Sequence, residues 1–434
     1  MMDSEAAGHF FANPTLSLSQ MVEQFLAMGF VPDFEFGEQY LQQVIGSIED
    51  HGVKHVDKGR LFHEVLPGAI ERQMRDIGHT EAMIPLSGGF DSRLLLGAAL
   101  RVLPASSITC ATFGMVESAD VGVAKEICRK LGVRQIWIDP SSYDWTLDHV
   151  VNYIRKRGEL VPGAVAESAA RMSELVEFYT DSRAVLLSGY FGDFPTGCRL
   201  PVDHDHRGNV DGEVELFLSK NVVLPGIQRK VLPEHTAWRR FIERNRWPSH
   251  LAGATPFETL DCAFRQAQRI ERNLPGKLAN MVQPFMDPVW MNHWFSLGVP
   301  ERRRQKAYVN GIRCFYPEVF TRNEWDSEPI ADRVRKRLRR GLRKLRLVPE
   351  RREIPKRFFE RASPANNESL SRMYREAASS FDSRGLLPGV SAREAVERVC
   401  AGDYSAGDQA HWLVSTEVNL QAGNFHRHPL FQKE

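Results

Sequence analysis

The stretch IPLSGGFDSR, residues 84–93, decides the fold of this chain. It joins a hydrophobic run to an apolar helical pattern through Ser-Gly-Gly-x-Asp-Ser, which predicts a strand, a tight loop and a helix. Two adjacent glycines let the backbone approach a ligand closely, and the N-terminus of the helix favours an anion. Ser87 and Ser92 add hydroxyl donors, whereas Asp91 would repel a bare phosphate. The loop therefore predicts a phosphate–Mg²⁺ site with ATP as the ligand.

Strands and helices alternate on both sides of this loop. Further strand patterns cover residues 108–114, 133–138 and 184–188, and helical patterns cover residues 61–79 and 120–131. This alternation predicts an α/β fold with a doubly wound parallel sheet. Ligands of such sheets bind beyond the carboxyl ends of the strands. One site is therefore expected to be surrounded by the loops that follow Leu86, Thr112 and Leu187.

A second Gly-rich segment, SGYFGD at residues 188–193, follows the last of these strands. Its aspartate, Asp193, repeats the arrangement of a strand, glycines and a carboxylate that ends at Asp91. Mg²⁺ in nucleotide sites is commonly held by one or two carboxylates and the phosphates. We therefore predict that Asp91 and Asp193 share Mg²⁺ over the triphosphate. The alternative is a Gly-rich surface turn whose aspartate caps a helix.

The ordered motifs resemble the synthetase domain of asparagine synthetase and its relatives, such as the β-lactam synthetases. The ordered resemblance covers roughly residues 85–325 and includes Pro284-Phe285-Met286-Asp287 and Lys306 ahead of Tyr316-Pro317-Glu318. Beyond that range, the C-terminal helical segment HWLVSTEVNLQAG also resembles the family. The first loop also resembles the pyrophosphate-binding (PP) loop of the ATP pyrophosphatases. This resemblance implies an adenine nucleotide α-hydrolase-like (PP-loop) fold with a mainly helical C-terminal part.

The same resemblance implies roles for individual residues. Asp91 and Asp193 would hold Mg²⁺, and Asp193 would be catalytic together with Lys306, which would neutralise charge on the departing pyrophosphate. Adenosine would contact the backbone of Leu86, Thr112 and Phe113, with Gly189 near the ribose or the adenylate. The pyrophosphate would bind the loop residues Ser87, Gly88, Gly89, Asp91 and Ser92.

Two departures from the family pattern bear on activity. Phe191 and Phe194 stand where the family has a glycine and a glutamate around the second aspartate. The Glu-x-Arg that precedes the Pro-Phe-Leu-Asp segment is replaced by Asn280-Met281-Val282-Gln283. In the family this glutamate is linked to the amine nucleophile or the substrate. The asparagine-forming reaction is therefore less strongly implied than ATP binding.

The function implied is an ATP-dependent, AMP- and pyrophosphate-forming amide ligase. It would activate a carboxylate, of a small molecule or a glycan, as an acyl-adenylate for attack by ammonia or an amine. Alternatives are an intramolecular lactam-forming or glycan-amidating relative, and a nucleotide-binding protein that has lost catalysis. A tRNA-modifying pyrophosphatase is disfavoured because the chain lacks paired catalytic cysteines and a basic charge balance.

The family's glutaminase half begins with a nucleophilic cysteine. Here the chain begins Met1-Met2, its first cysteine is Cys110, and only 86 residues precede Ser87. We therefore expect no intrinsic glutaminase. Ammonia, a separate ammonia-supplying subunit or an amine-bearing substrate would provide the nucleophile.

Charge and composition limit the partners and the location that this chain is expected to have. The net charge of +1 gives no reason to expect a nucleic-acid partner, and no apolar run reaches the ~18 residues of a membrane span. The six cysteines are scattered without metal-site spacing, which favours reduced thiols in a cytoplasm. We divide the chain into residues 1–60, a region of unknown role, and residues 61–434, the synthetase-like domain, helical from about residue 230.

Residues 333–346 form a basic run in which nine of fourteen residues are Lys or Arg. Val334, Leu338, Leu342 and Leu345 recur at helical spacing, which predicts a basic amphipathic helix. One interpretation is a contact with a membrane surface or a polyanion, making the protein peripheral at the membrane. The other is a solvated helix whose leucines dock on the domain.

Overall fold

The computed structural model describes most of the chain and contains one parallel sheet. The described residues are 15–50, 56–115, 118–163, 165–166, 168–169, 184–200, 209–224, 231–274, 280–320 and 363–432. Five parallel strands pair in the order β3-β2-β1-β4-β5. Their bounds are β1 Glu81–Pro85, β2 Ile108–Phe113, β3 Arg134–Ile138, β4 Ala184–Leu187 and β5 Met281–Val282. The predicted α/β class and the four predicted strands are confirmed.

Apolar side chains project from both faces of the sheet, as expected for a parallel sheet that is covered by other elements on both sides. Ala82 and Ile84 of β1 enter one hydrophobic core, and Met83, between them, enters a second core on the opposite face. Cys110 of β2 joins the first core and Ala111 joins the second. The sheet therefore separates two hydrophobic cores. The loops that follow the strands lie at its carboxyl edge.

Sixteen helices are described, and most surround this sheet. They are α1 Leu18–Met28, α2 Phe34–Asp50, α3 from Lys58–Arg60 through Leu61–Val65 to Leu66–Asp76, α4 Phe90–Ala99, α5 Ala119–Leu131, α6 Leu147–Arg157, α7 Val210–Asn221, α8 His235–Arg244, α9 from Pro256–Leu260 through Asp261–Ile270 to Glu271–Asn273, α10 Pro288–Ser296, α11 Val299–Arg302, α12 Lys306–Phe315, α13 Glu368–Ser383, α14 Ala392–Cys400, α15 Gly407–Gln421 and α16 Asn424–Arg427. The central segments of α3 and α9 are π-helical. The predicted helices at 61–79 and 120–131 and the C-terminal helix are confirmed.

The N-terminal helices pack into the same two cores. Phe25 of α1 lies 5.9 Å from Trp412 of α15, measured between ring centroids. Phe34 of α2 lies 5.0 Å from Phe264 of α9. Helix α3 begins at Lys58 and runs across the predicted boundary at residue 60. These contacts show how residues 18–50 are buried, while their role and the division at residue 60 stay predictions.

The short strand β5 was not predicted. Only Met281 and Val282 pair with β4, and two residues give no detectable alternation. The basic run 333–346 lies outside the described residues, so both of its interpretations stay predictions. Within the described ranges, no helix combines the length and the apolar character needed to cross a membrane.

His428 makes the stability of the fold dependent on pH. Burial and the charge of Arg272 lower the pKa of His428 to about 3, so the imidazole is neutral in the folded protein. Its stability contribution is complete above the unfolded pKa of about 6.5 and falls by about 1.4 kcal/mol per pH unit below it. Between pH 7 and pH 5, urea unfolding should therefore show that the wild type loses about 2 kcal/mol of stability relative to His428→Asn, since other titrating groups such as Asp91 change both proteins alike. Equal losses in both proteins would contradict this assignment.

Candidate active site

The first Gly-rich loop connects β1 to the N-terminus of α4. Its backbone amides are held by side-chain oxygens. The Gly88 amide donates to Asp120 Oδ1 at 2.7 Å, and the Gly89 amide donates to Ser87 Oγ at 3.1 Å. The Ser87 amide donates to Ser92 Oγ, also at 3.1 Å. The loop thus presents N–H groups that bind oxygen atoms, and α4 opens with Gly89, which provides no side-chain cap.

The second loop lies directly against the first. A Cβ atom built on Gly192 would lie 2.8 Å from Asp91 Cγ, and one on Gly189 would lie 3.8 Å from Asp91 Cβ. Glycine at 192 therefore allows the second loop to pass close to the Asp91 side chain. The two strand-end motifs, separated by about a hundred residues of sequence, form one site.

Phe191 and Phe194, the family departures beside Asp193, are buried core residues. Phe191 has a φ of 69°, a backbone conformation that favours glycine and is rare for a bulky residue. Its ring packs against Tyr190 and Phe194 at centroid distances of 5.1 and 4.8 Å. Phe194 in turn contacts Phe295 of α10 at 5.6 Å. Aromatic packing thus holds the second loop on the domain.

Asp91 and Asp193 are electrostatically coupled. Burial, followed by the charge of Asp193, raises the pKa of Asp91 to about 7. Tyr308 of α12 opposes this shift by donating from its hydroxyl to Asp91 Oδ1 at 2.6 Å. Burial also raises the pKa of Asp193. Two adjacent carboxyl groups that resist ionising together fit a shared cation.

Other predicted nucleotide-binding residues lie at the ends of neighbouring strands. The Leu86 amide donates to Ala111 O at 2.8 Å, which ties the start of the first loop to β2. The Thr112 hydroxyl accepts from Gln135 Nε2 at 3.0 Å, and Phe113 is the last residue of β2. The structure thus places Thr112 and Phe113 on the strand next to the loop. Their backbone contacts with adenosine stay predictions.

Lys306 is exposed and is the first residue of α12, two positions before Tyr308. The adjacent Gln305 has a φ of 54° and donates from Nε2 to Thr196 Oγ1 at 2.7 Å. The start of α12 is therefore attached to Asp91 through Tyr308 and to the chain after Asp193 through Thr196. Lys306 forms no hydrogen bond or ion pair with the residues that the structure describes.

Comparisons with known proteins place this site in a family. Residues 61–281, about half of the chain, match the family model described as asparagine synthase. The chain belongs to the asparagine synthase family. A probable asparagine synthetase (glutamine-hydrolysing) of Acanthamoeba polyphaga mimivirus is similar to this chain, at 29% identity over 171 residues. The match covers 38% of this chain and 30% of that relative, so the chain spans less than a third of the relative's length.

The asparagine synthase pattern near residue 284 has structural roles in this chain. Asp287 begins α10 and accepts hydrogen bonds from the Val289 and Trp290 amides at 3.0 and 3.1 Å. Its second oxygen pairs with Arg72 of α3 at 2.7 Å. This aspartate of the Pro-Phe-Met-Asp segment is a helix cap rather than a member of the Asp91 site.

Asn280, which stands at the family's glutamate position, lies at the opposite edge of the sheet from the Gly-rich loops. Its side chain lies 3.0 Å from the ring of His79, just before the amino end of β1. Two residues after Asn280, the carbonyl of Val282 accepts from the Ser188 amide at 2.8 Å, so this segment contacts the start of the second Gly-rich loop through its backbone.

Arg302 is the first of three consecutive arginines shortly before Lys306, a run that by residue type would be expected at the surface. The structure shows instead that it is completely buried. Its Nη1 pairs with Glu258 Oε1 at 2.6 Å and donates to Pro195 O at 3.0 Å. The carbonyl of Arg302 would lie 2.6 Å from a Cβ on Gly197, whose φ is +85°. Arg302 thus fixes the chain after Asp193 to α9.

Sequence reasoning missed three residues of the site. Asp120 lies in the first turn of α5 and was noticed only as part of a helical pattern, although an aspartate in the first turn of a helix after a strand is an available signal. Tyr308 lay two residues from Lys306 and was not considered. Arg265 of α9 is the strongest cationic partner of Asp193, and no local motif marks it.

Proposed function

We propose that this protein is an ATP-dependent amide ligase that forms AMP and pyrophosphate. The observation that carries the proposal is the contact between Asp91 and the Gly192 loop, which joins the two carboxylates at the carboxyl edge of the sheet. Membership of the asparagine synthase family supports the ligase class. The PP-loop type of the fold and the use of Mg·ATP are part of this proposal.

The reaction would proceed in two balanced steps. A carboxylate oxygen of the acid forms a bond to the α-phosphorus of ATP as the bond from that phosphorus to the bridging oxygen breaks and pyrophosphate leaves. The nitrogen of ammonia or an amine then attacks the acyl carbon, AMP departs with the bond electrons, and the nitrogen loses a proton.

The residues of this chain would act mainly by positioning and charge neutralisation. Asp91 and Asp193 would hold Mg²⁺, which when bound offsets the negative charge of the phosphates. The amides of Gly88 and Gly89 would donate to phosphate oxygens, and the Gly88 amide would exchange its bond to Asp120 for one to the nucleotide. Tyr308 would keep one oxygen of Asp91 oriented by its hydrogen bond.

A screen for pyrophosphate release tests the function. Purified protein with Mg·ATP would be supplied with pairs of carboxylates and amines, including aspartate with ammonia, and a lactam-forming substrate without added amine. Release that depends on the carboxylate would support the ligase. Binding of Mg·ATP without release for any pair would favour a nucleotide-binding protein, an alternative consistent with Phe194 at the family's glutamate position.

Glutamine as the nitrogen source serves as a further arm of this screen. We propose that the isolated chain does not hydrolyse glutamine, and that ammonia, a partner subunit or an amine-bearing substrate supplies nitrogen. Glutamate release from glutamine by the pure protein, above a control without enzyme, would contradict this.

Lys306→Ala is expected to lower the rate of pyrophosphate release about a hundredfold. The reason is that an exposed ammonium at the start of α12 would lose its contact with negative charge on the departing pyrophosphate. Lys306→Arg should restore little activity, because a planar guanidinium does not replace a compact ammonium.

The measurement is steady-state pyrophosphate release, with a thermal melt to confirm folding. Arg304→Ala, a change at an exposed arginine two residues earlier, is the matched control. Near-normal turnover in Lys306→Ala would show that the role assigned to this lysine is wrong.

A further inference from the structure

A second group of charges lies beyond Asp193, between the chain that follows it and helix α9. Asp261 accepts from Arg265 Nε with both oxygens, at 2.8 and 3.1 Å. The same carboxylate lies 3.3 Å from Arg199 Nη1. Lys220 joins the group by donating from Nζ to Arg199 O at 2.8 Å. These residues connect the loop of the proposed metal site to the π-helical part of α9.

One terminal nitrogen of Arg265 has no hydrogen-bond acceptor in this group. The residue is only 8% exposed, and its Nη2 is buried with no hydrogen-bond partner among the described residues. A buried donor without an acceptor is unfavourable, so a ligand that accepts from it is favoured at this position. The residue lies within the π-helical segment Asp261–Ile270, and π-helical turns are frequent at functional sites.

The charge of Arg265 acts on the proposed metal site. Burial raises the pKa of Asp193, and Arg265 opposes that shift more strongly than any other group. Cys198, which is exposed, lies among the same charges. Burial, then Asp193 and Asp91, raise the pKa of its thiol to about 11, while Arg265 and Arg199 act in the opposite direction. Arg265 therefore lies close enough to Asp193 and to Cys198 for its charge to act on both side chains.

Three cationic side chains, Arg199, Arg265 and Lys220, lie around the carboxylate of Asp261. Two further carboxylates, Asp91 and Asp193, act on the same group, and both would hold Mg²⁺, whose charge they balance. Three cations then face one carboxylate. An anionic ligand would balance this excess, and a guanidinium with a free terminal nitrogen recognises a carboxylate particularly well.

We propose that Arg265 anchors the carboxylate of the acid that the enzyme activates, in a site bordered by Asp193, Arg199 and Cys198. This inference rests on the proposed ligase function and specifies where the acid binds. The acid would approach the proposed metal site from the side of α9, next to Asp193. A phosphate group of the nucleotide offers the same oxyanion chemistry, so the experiment must separate the two sources.

Alkylation of Cys198 reports on this site directly. Because the raised pKa of Cys198 leaves little thiolate near neutral pH, the full-length protein would be treated with iodoacetamide at pH 9 over an extended time course. Acetate, succinate, L-aspartate or pyrophosphate would be present, with sodium chloride matched for ionic strength. Mass spectrometry would follow Cys198, with the exposed Cys314 of α12 as the internal reference. A carboxylate at about twice its dissociation constant should slow the labelling of Cys198 about threefold. The labelling of Cys314 should not change.

Arg265→Gln should abolish this protection, and Arg265→Lys should restore it only in part. If Arg265→Gln does not fold because buried Asp261 is left with Arg199 as its remaining cation, the double variant Asp261→Asn/Arg265→Gln removes both charges and replaces the single variant. Protection that survives the loss of Arg265 would overturn the proposal. So would protection by pyrophosphate alone, which assigns the site to the nucleotide, or protection by none of the anions, which leaves Arg265 a structural cation.

The labelling experiment and the pyrophosphate-release screen can fail independently of each other. Carboxylate protection without pyrophosphate release in any arm of the screen would keep the acid site and reject the ligase. Carboxylate-dependent release without protection of Cys198 would keep the ligase and reject the site.

Discussion

Asp91→Asn is expected to lower pyrophosphate release by about a hundred- to a thousandfold while the protein stays folded. Asparagine has the same shape as aspartate and can still accept the hydrogen bond from Tyr308, but it lacks the negative charge that would hold Mg²⁺. Because burial and Asp193 raise the pKa of Asp91 to about 7, removing its charge also relieves a repulsion in the folded protein. The variant should therefore be at least as stable as the wild type in a thermal melt.

The same measurement on Asp193→Asn should show a comparable loss, and the double variant should lose little more, because residues that act as a unit are not additive. Asp211→Asn is the matched control, since Asp211 is exposed and pairs with Arg239 on the surface. Unchanged release and unchanged Mg·ATP binding in both single variants would reject the metal assignment and leave the two loops without a shared cation.

The parts of this site that could be predicted from the sequence are local ones. The SGGFDS loop lies between a strand and a helix, and each of these elements has its own hydrophobic pattern within a few residues. The meeting of Asp91 with Asp193 followed from a general property of parallel sheets, in which loops after neighbouring strands share one edge. Both inferences needed only short-range patterns and the topology that they imply.

The remaining contacts depend on partners that are distant in the sequence. Tyr308 and Asp91 are 217 positions apart, and neither residue type identifies the other. Gln305 reaches Thr196 over 109 positions. No periodicity or turn signal connects such residues, because the packing of whole helices brings them together. The position of helix α12 beside Asp91 therefore could not be predicted from the sequence.

The burial of a charged residue, Arg302, also could not be predicted from the sequence. Arg302, Arg303 and Arg304 are identical in type and adjacent, and long cationic side chains are mostly exposed, so nothing in the sequence marks one of them as buried. The backbone separates them, because α11 ends at Arg302 and Arg304 has a φ of 58°. One arginine is thereby directed into the protein and another into solvent.

Arg302→Met is expected to lower the free energy of unfolding by about 3–5 kcal/mol. Methionine fills much of the volume but leaves Glu258 as a buried charge without its partner. It also leaves the carbonyls of Pro195 and Gly253 without the guanidinium donor. Urea unfolding would measure the loss, with Arg304→Met as the matched control for which a change within about 0.5 kcal/mol is expected.

The double variant Arg302→Met/Glu258→Gln tests the cause of that loss. If an unpaired buried carboxylate is responsible, neutralising Glu258 should recover a substantial part of the stability, because removing both charges of a buried pair costs much less than removing one. Recovery of stability should not restore full activity, since the chain after Asp193 would still lack its attachment at Pro195. A single variant as stable as the wild type would show that the pair contributes nothing to the fold, and that Gly197 and the aromatic contacts of Phe194 alone hold this segment on α9 and α10.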